Sequence, residues 1–277
     1  TNTDPVKTDI FAKFDWPRIP NPKVTFPLKD HLEEVKKAEA HGVDVLEDLM
    51  KREADDIAAI IIEPIQGEGG DNHFRDEFFI ELRRIADEND VLLIFDEVQT
   101  GVGLTGKMWC YQNFSIVPDI VCFGKKTQVC GIMVTDRVDT VKDNVFKTSS
   151  RLNSTWGGNI VDMVRFQRYL EIIEEDKLIE NVNKVAPTLH AMLDSIQNEY
   201  SGLISNVRGR GFFCAFDLPD GDIRGKVVQT IWKNGALILP CGWNSIRFRP
   251  GLILSEADVE KSGEIIRKSL DEVKKEL

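Results

Sequence analysis

Histidine, paired cysteine and basic charge are all in short supply in this chain, and each shortage removes a class of function. The four histidines (His31, His41, His73 and His190) are scattered without ligand spacing, so no metal site is expected. The five cysteines (Cys110, Cys122, Cys130, Cys214 and Cys241) are odd in number and form no C-x-x-C pair. Free thiols in a reducing cytoplasm are the expectation. Lys and Arg number 35 against 46 Asp and Glu, and the formal charge of −11 argues against nucleic acid or an anionic membrane surface as partner. No apolar run approaches the ~20 residues of a membrane-crossing helix. Nothing at the N-terminus resembles a signal peptide, and there is no internal repeat or low-complexity tract. An initiating methionine is also missing: the chain opens on T-N-T-D-P, which reads as loop rather than as the start of a domain.

What is present is the composition of a globular protein, 42% hydrophobic and 29% charged, over 277 residues, enough for one large or two ordinary domains. Residues 1–28, rich in Pro and Asp, read as an irregular surface segment. From His31 to Asp55 the apolar positions recur at helical spacing, with Gly42 expected to break or kink the helix. Short buried strands are expected at Ala58–Ile62, Val91–Phe95, Ile120–Phe123 and Gly131–Val134, with a helical stripe between Phe74 and Asn89. This alternation predicts an α/β layered domain. Helical tracts from Ile160 and over Val182–Glu199 follow. Strands at Leu203–Val207, Phe212–Leu218, Ala236–Leu239 and Ser245–Arg249, with helices at Ile223–Asn234 and from Ser255, make a small α+β unit. Ser255 with Asp258 is an N-cap signature.

Val91–Phe95 runs into Asp96 and Glu97, and Ile120–Phe123 runs into Gly124-Lys125-Lys126. In an open parallel sheet, ligands sit outside the carboxyl ends of the strands, so an acid and an amine reach one crevice. That pair suits pyridoxal phosphate chemistry: a lysine forms a Schiff base with the cofactor aldehyde, and a carboxylate pairs with the protonated ring nitrogen. Blander readings stand beside it. Lys125-Lys126 is equally a solvated turn, Asp96 a capping carboxylate, Gln99 a surface glutamine and Arg247 half of a structural ion pair. Asn153, Ser154 and Thr155, ahead of Gly157-Gly158, form either a phosphate-holding loop or a plain turn. G-V-G-L-T-G at 101–106 matches the dinucleotide fingerprint of a nicotinamide-dependent oxidoreductase. It lacks the expected acid at the end of the next strand, and a turn-forming loop is the preferred reading.

F-D-E-V-Q-T-G, then P-D-I-V-C-F-G-K-K, then N-S-T-W-G-G-N resemble the class III, or ω-, aminotransferases. E-P-I-Q-G-E-G-G-D, G-K-K-T-Q-V-C-G and R-L-N-S-T-W-G-G-N are similar to the L-lysine 6-aminotransferase branch of that family. The resemblance implies an α/β, aspartate-aminotransferase-like fold (pyridoxal-phosphate transferase fold type I). Residues 1–160 would be part of the large cofactor-binding domain, 161–200 connecting helices and 201–277 a small α+β C-terminal domain. The family's N-terminal portion, with its phosphate-cradling turn and ring-stacking aromatic, has no counterpart here, so the chain resembles the C-terminal part. By the same resemblance, Lys125, directly after the glycine, is the Schiff-base lysine, Asp96 meets the pyridine nitrogen and Gln99 meets the phenolic oxygen. Thr155, in one loop with Asn153, reaches the cofactor phosphate of a neighbouring subunit, which implies a homodimer with shared active sites. Glu68 and Arg247 form a switch: Arg247 binds a carboxylate of 2-oxoglutarate, and Glu68 masks it when the amino donor is bound. The implied reaction moves the ε-amino group of L-lysine to 2-oxoglutarate, giving 2-aminoadipate 6-semialdehyde and glutamate. Ornithine or 4-aminobutyrate is the alternative donor, and a truncated, non-catalytic remnant is the alternative of another kind.

Overall fold

Three short apolar runs, each too short for a helix and each ending in polar residues, set the architecture. In the computed structural model, which describes residues 8–152 and 155–277, they form β1 (Ala59–Ile62), β2 (Leu92–Asp96) and β3 (Ile120–Phe123). The three are parallel neighbours, with Ile61 opposite Ile94 and Phe95 opposite Val121. β4 (Gly131–Val134) returns antiparallel to β3, so the sheet order is β1-β2-β3-β4. Parallel register brings the residues after β1, β2 and β3 to one edge. Asp96 is the last residue of β2 itself, opposite Cys122, rather than the first residue beyond it.

α1 (Leu28–Arg52) and α2 (Asp76–Glu88) flank this sheet. α1 passes through Gly42 without the expected break. A Cβ there would sit 3.4 Å from Pro20 O and 3.7 Å from the Phe78 ring, so the glycine serves close packing rather than a kink. Phe78, Phe79, Leu82 and Ile85 of α2 are buried with Leu93 and Phe95 of β2 in one apolar cluster. The Phe79 ring lies 5.1 Å from Phe95 and 4.6 Å from Phe114. Burying each such side chain contributes about 1.5–3 kcal/mol. At the far edge, the buried Asp119 accepts from Leu93 N at 2.7 Å and pairs with Arg83 at 2.8 Å, which ties the start of β3 to β2 and α2.

The second half begins with α3 (Ile160–Glu175), which leaves Ile160, Val161, Met163 and Val164 exposed, and α4 (Leu178–Glu199). β5 (Ser205–Arg210), β6 (Phe213–Asp217), α5 (Gly221–Lys233), β7 (Leu239–Cys241), β8 (Ser245–Phe248) and α6 (Glu256–Glu276) complete it. The strands form an antiparallel sheet of order β5-β6-β8-β7. Val182, Leu189, Leu193 and Ile196 of α4 and Ile266 and Leu270 of α6 share a core with Phe212, Phe213 and Phe216.

Two strands differ from the sequence expectation for local reasons. Leu203 N and Ile204 N both donate to Tyr200 O, so those residues close the turn after α4 and the strand starts at Ser205. Ala236 N donates to Ile231 O and finishes α5, which delays the next strand to Leu239. Ser255 and Asp258 cap α6 reciprocally, at 3.0 Å and 3.2 Å. Residues 101–106 form successive turns with Gly103 and Gly106 both at φ +83°, and Gly106 O accepts from Asn183 of α4. No helix opens at these glycines, so the turn-loop reading fits and the dinucleotide fingerprint does not. Among the described residues no helix is long and apolar enough to cross a membrane.

Candidate active site

The polar residues at the carboxyl edge of the parallel sheet form the site. Glu63 follows β1, Asp96 ends β2, and Gly124-Lys125 follows β3. Glu63 is half-buried and accepts from Gly67 N at 3.0 Å. Its carboxyl is pushed above the usual range by burial first and then by the charge of Asp96, while Lys125 pulls it back. Asp96 and Lys125 are thus both felt at one carboxyl. Asp96 Oδ1 accepts from Val98 N at 3.1 Å, which orients the side chain where the strand turns away.

The adjacent lysines have different environments. Lys125 adopts φ +53° and is exposed. Lys126 turns inward, and its Nζ donates to Gln99 O at 2.5 Å. Burial, then the charges of Arg249 and Lys125, lower its pKa to about 8. A lysine depressed in the folded state contributes stability only above its unfolded value, and loses that contribution as pH falls through the folded one. Folding stability of the wild type should therefore rise by up to about 3 kcal/mol between pH 8 and 10.5, relative to Lys126→Met. Denaturant unfolding of both proteins across that range measures the difference; parallel curves would mean that Lys126 is not depressed.

Arg247, on β8 of the second sheet, reaches across to the first. Its Nη1 donates to Glu68 Oε2 at 2.8 Å and to Gln99 Oε1 at 3.5 Å. Glu68 lies on the loop after β1, and Gln99 lies just past β2. The half-buried pair is worth less than a fully desolvated one. Arg247 Nε is buried without a hydrogen-bond partner among the described residues, a donor free to take a ligand oxygen. A Cβ on Gly67 would fall 2.4 Å from Gln99 Oε1 and push that amide aside, so the glycine leaves the Gln99 side chain its place beside Arg247.

Glu68, Gln99 and Arg247 are therefore in contact, and Glu63, Asp96 and Lys125 stand at the carboxyl ends of neighbouring parallel strands. Thr155 lies exposed in the turn before α3, and Asn153 falls outside the described residues. Sequence reasoning missed Glu63, although it carries the signal that singled out Asp96, an acid ending a buried apolar run. It also missed Asp71, which is fully buried and paired with Arg249. Glu97, beside Asp96, points into the fold: it accepts from Cys110 N at 2.5 Å and Tyr111 N at 2.7 Å, and burial raises it to about 7. Its role is to hold the turn at 110–113.

Comparison with known proteins gives this arrangement its context. The class-III aminotransferase family model matches residues 1–270. The L-lysine-epsilon aminotransferase of Mycobacterium tuberculosis is 47% identical over 272 residues, 98% of this chain and 60% of that protein. Human mitochondrial 4-aminobutyrate aminotransferase is 36% identical over 257 residues, 90% of this chain and 50% of that one. The solved lysine aminotransferase from M. tuberculosis in the internal aldimine form superposes with a TM-score of 0.95 at 46% identity, covering 99% of this chain and 62% of that one. An acetylornithine aminotransferase from Elizabethkingia anophelis superposes with a TM-score of 0.73 at 28% identity, covering 83% and 58%. The chain thus spans about 60% of the length of its lysine aminotransferase relatives. The fold is the fold type I of pyridoxal-phosphate-dependent transferases, and the family implies that cofactor. An exposed amine, a carboxylate and an amide at neighbouring strand ends are a donor set that fits the ring end of pyridoxal phosphate. With the family model spanning nearly all of its residues, this chain belongs to the class-III aminotransferases.

Proposed function

We propose that the natural protein carrying this chain is a pyridoxal-phosphate-dependent ω-aminotransferase that moves the ε-amino group of L-lysine to 2-oxoglutarate, giving 2-aminoadipate 6-semialdehyde and glutamate. The observation that carries it is that Asp96 ends β2 and Lys125 follows β3, its parallel neighbour, so the acid and the amine lie at the same edge of the sheet. When bound, pyridoxal 5′-phosphate supplies an aldehyde that condenses with amines and a cationic ring that draws electrons from the bond being broken. Lys125 would provide the amine that holds the cofactor, and its Nζ would move a proton to and from the substrate carbon. Asp96 would hold a negative charge against the cationic ring, and the Gln99 side-chain amide would supply a neighbouring hydrogen-bond donor.

Arg247 takes the distal carboxylate of 2-oxoglutarate, using the spare Nε donor and the donor now given to Glu68. When lysine, which brings an amine instead, occupies the site, Glu68 returns to cover Arg247. Left unpaired and buried, an arginine would cost ~3–5 kcal/mol. A movable counter-ion lets one site accept two unlike substrates. Asn153 and Thr155 are assigned to the phosphate of a neighbouring subunit, in a cytoplasmic homodimer with shared sites. Residues 1–160 are assigned to the large domain, 161–200 to connecting helices and 201–277 to the small domain.

The relatives named L-lysine-epsilon aminotransferase support lysine as donor, and the more distant 4-aminobutyrate aminotransferases make 4-aminobutyrate the second choice, with ornithine beside it. The test supplies the natural protein with pyridoxal phosphate, 2-oxoglutarate and each donor in turn, and measures glutamate. Lysine should exceed ornithine and 4-aminobutyrate by about tenfold or more in kcat/KM. A reversed order replaces the donor. Failure of the protein to take up the cofactor at all would favour a non-catalytic remnant.

A further inference from the structure

The loop that carries Glu68 is held partly by its own hydrogen bonds and partly by the second sheet. It runs Gln66-Gly67-Glu68-Gly69-Gly70-Asp71-Asn72, so Glu68 and Asp71 are the only side chains between its closing residues. Gln66 and Asn72 close it through paired backbone bonds of 3.0 and 3.1 Å. Gly67 N donates to Glu63 at 3.0 Å and Asn72 Nδ2 to Gly69 O at 3.2 Å, and further bonds come from the other sheet. Gly242 N donates to Glu68 O at 2.9 Å. Arg208 donates to the carbonyls of Gly70 and Asp71, the latter at 2.9 Å, and is itself held by Ser245 at 3.0 Å.

Asp71 is the deepest of these anchors. It is fully buried, at φ +50°, a conformation that Asp and Asn tolerate better than most residues. Both of its oxygens face Arg249: Nη1 donates to Oδ2 at 2.9 Å, and Nη2 donates to Oδ1. Arg249 is locked in turn, donating to Phe248 O at 2.7 Å with its guanidinium 3.2 Å from the Phe213 ring centroid. Period-two alternation puts Ser245 and Arg247 on one face of β8, Arg249 follows directly after the strand, and each serves this loop. Ser245 acts through Arg208, Arg247 binds Glu68, and Arg249 binds Asp71.

We infer that Asp71, locked to Arg249, is a positioning residue that sets how firmly Glu68 covers Arg247, and so sets the balance between the donor and acceptor half-reactions. The inference rests on the covering role given to Glu68 above. With Asp71 neutral, Arg249 becomes a buried cation without a counter-charge, and Glu68 is the other carboxylate on the same loop. Glu68 is then drawn from Arg247 towards Arg249, leaving Arg247 open to a carboxylate ligand and unmasked when the amino donor binds.

The test uses the cofactor-loaded natural protein with Asp71→Asn, which keeps the side-chain shape and the tolerance for positive φ. Its KM in the lysine half-reaction should rise about tenfold while the 2-oxoglutarate half-reaction stays within about threefold. Glutarate, a dicarboxylate that cannot be transaminated, should bind about fivefold tighter by calorimetry. Glu68→Gln should show the same two changes, and the double variant no more than Glu68→Gln alone, because both act through one contact. Arg249→Lys keeps the charge, loses the fork and should move the same readouts part-way; it decides the matter if Asp71→Asn does not fold. Equal losses in both half-reactions of Asp71→Asn, or unchanged glutarate affinity, while Glu68→Gln shifts both, would overturn the inference alone. A Glu68→Gln protein with unaltered balance and unaltered glutarate affinity would remove the covering role, and the inference with it.

Discussion

Lys125→Ala is expected to abolish the yellow absorbance band that accompanies condensation of the cofactor aldehyde with a lysine, and to lower turnover by about 10³-fold or more. Lys126→Ala should keep the band. The two residues are neighbours of the same type, so the comparison isolates position from chemistry. The Lys126 amine is half-buried and committed to Gln99 O at 2.5 Å, whereas Lys125 is exposed at the strand edge. If Lys125 also moves the proton at the substrate carbon, added methylamine should restore part of the lost turnover of Lys125→Ala. A band that survives in Lys125→Ala and vanishes in Lys126→Ala would move the tether to the buried amine, and the roles assigned around it would fall.

Arg247→Ala should separate the two substrates. The 2-oxoglutarate half-reaction is expected to lose about 10²-fold or more in kcat/KM, in line with the 2–5 kcal/mol for truncating one partner of a hydrogen-bonded charge pair. The lysine half-reaction should change little, because Glu68 is partly exposed and water can replace its lost partner. Arg247→Lys should recover only part of the loss, since an ammonium cannot grip a carboxylate with two parallel donors. Rapid-mixing measurement of each half-reaction reads the effect directly. Equal damage to both halves would make Arg247 a scaffold between the two sheets and not an acceptor site.

Much of this molecule was legible in one dimension because the signals are local. Apolar runs of four or five residues ending in an acid or in glycine-lysine name strands that enter a site, and the helical stripe over Phe78–Ile85 names the element covering them. Ser255 and Asp258 announce the start of α6 because a cap is a contact three residues long. The motifs around Asp96, Gln99 and Lys125 marked the family for the same reason: they are short runs of sequence at the ends of two neighbouring strands. Gly42 shows where local reasoning fails. Nothing near it in sequence says whether a glycine breaks a helix or admits a neighbouring ring, and here Phe78 and Pro20 decide.

By itself, then, the sequence determined the layered α/β character, the family, and an acid and an amine at neighbouring strand ends. Only the tertiary structure decided which of two adjacent lysines is exposed, that Arg247 meets Glu68 and Gln99, and that Asp71 is buried against Arg249. The physical reason is range. Strand and helix signals act over a few residues, whereas Glu68 and Arg247 are 179 residues apart and Asp71 and Arg249 178 apart. Such pairs exist only once the two sheets are brought together, and their charge and burial are properties of that meeting.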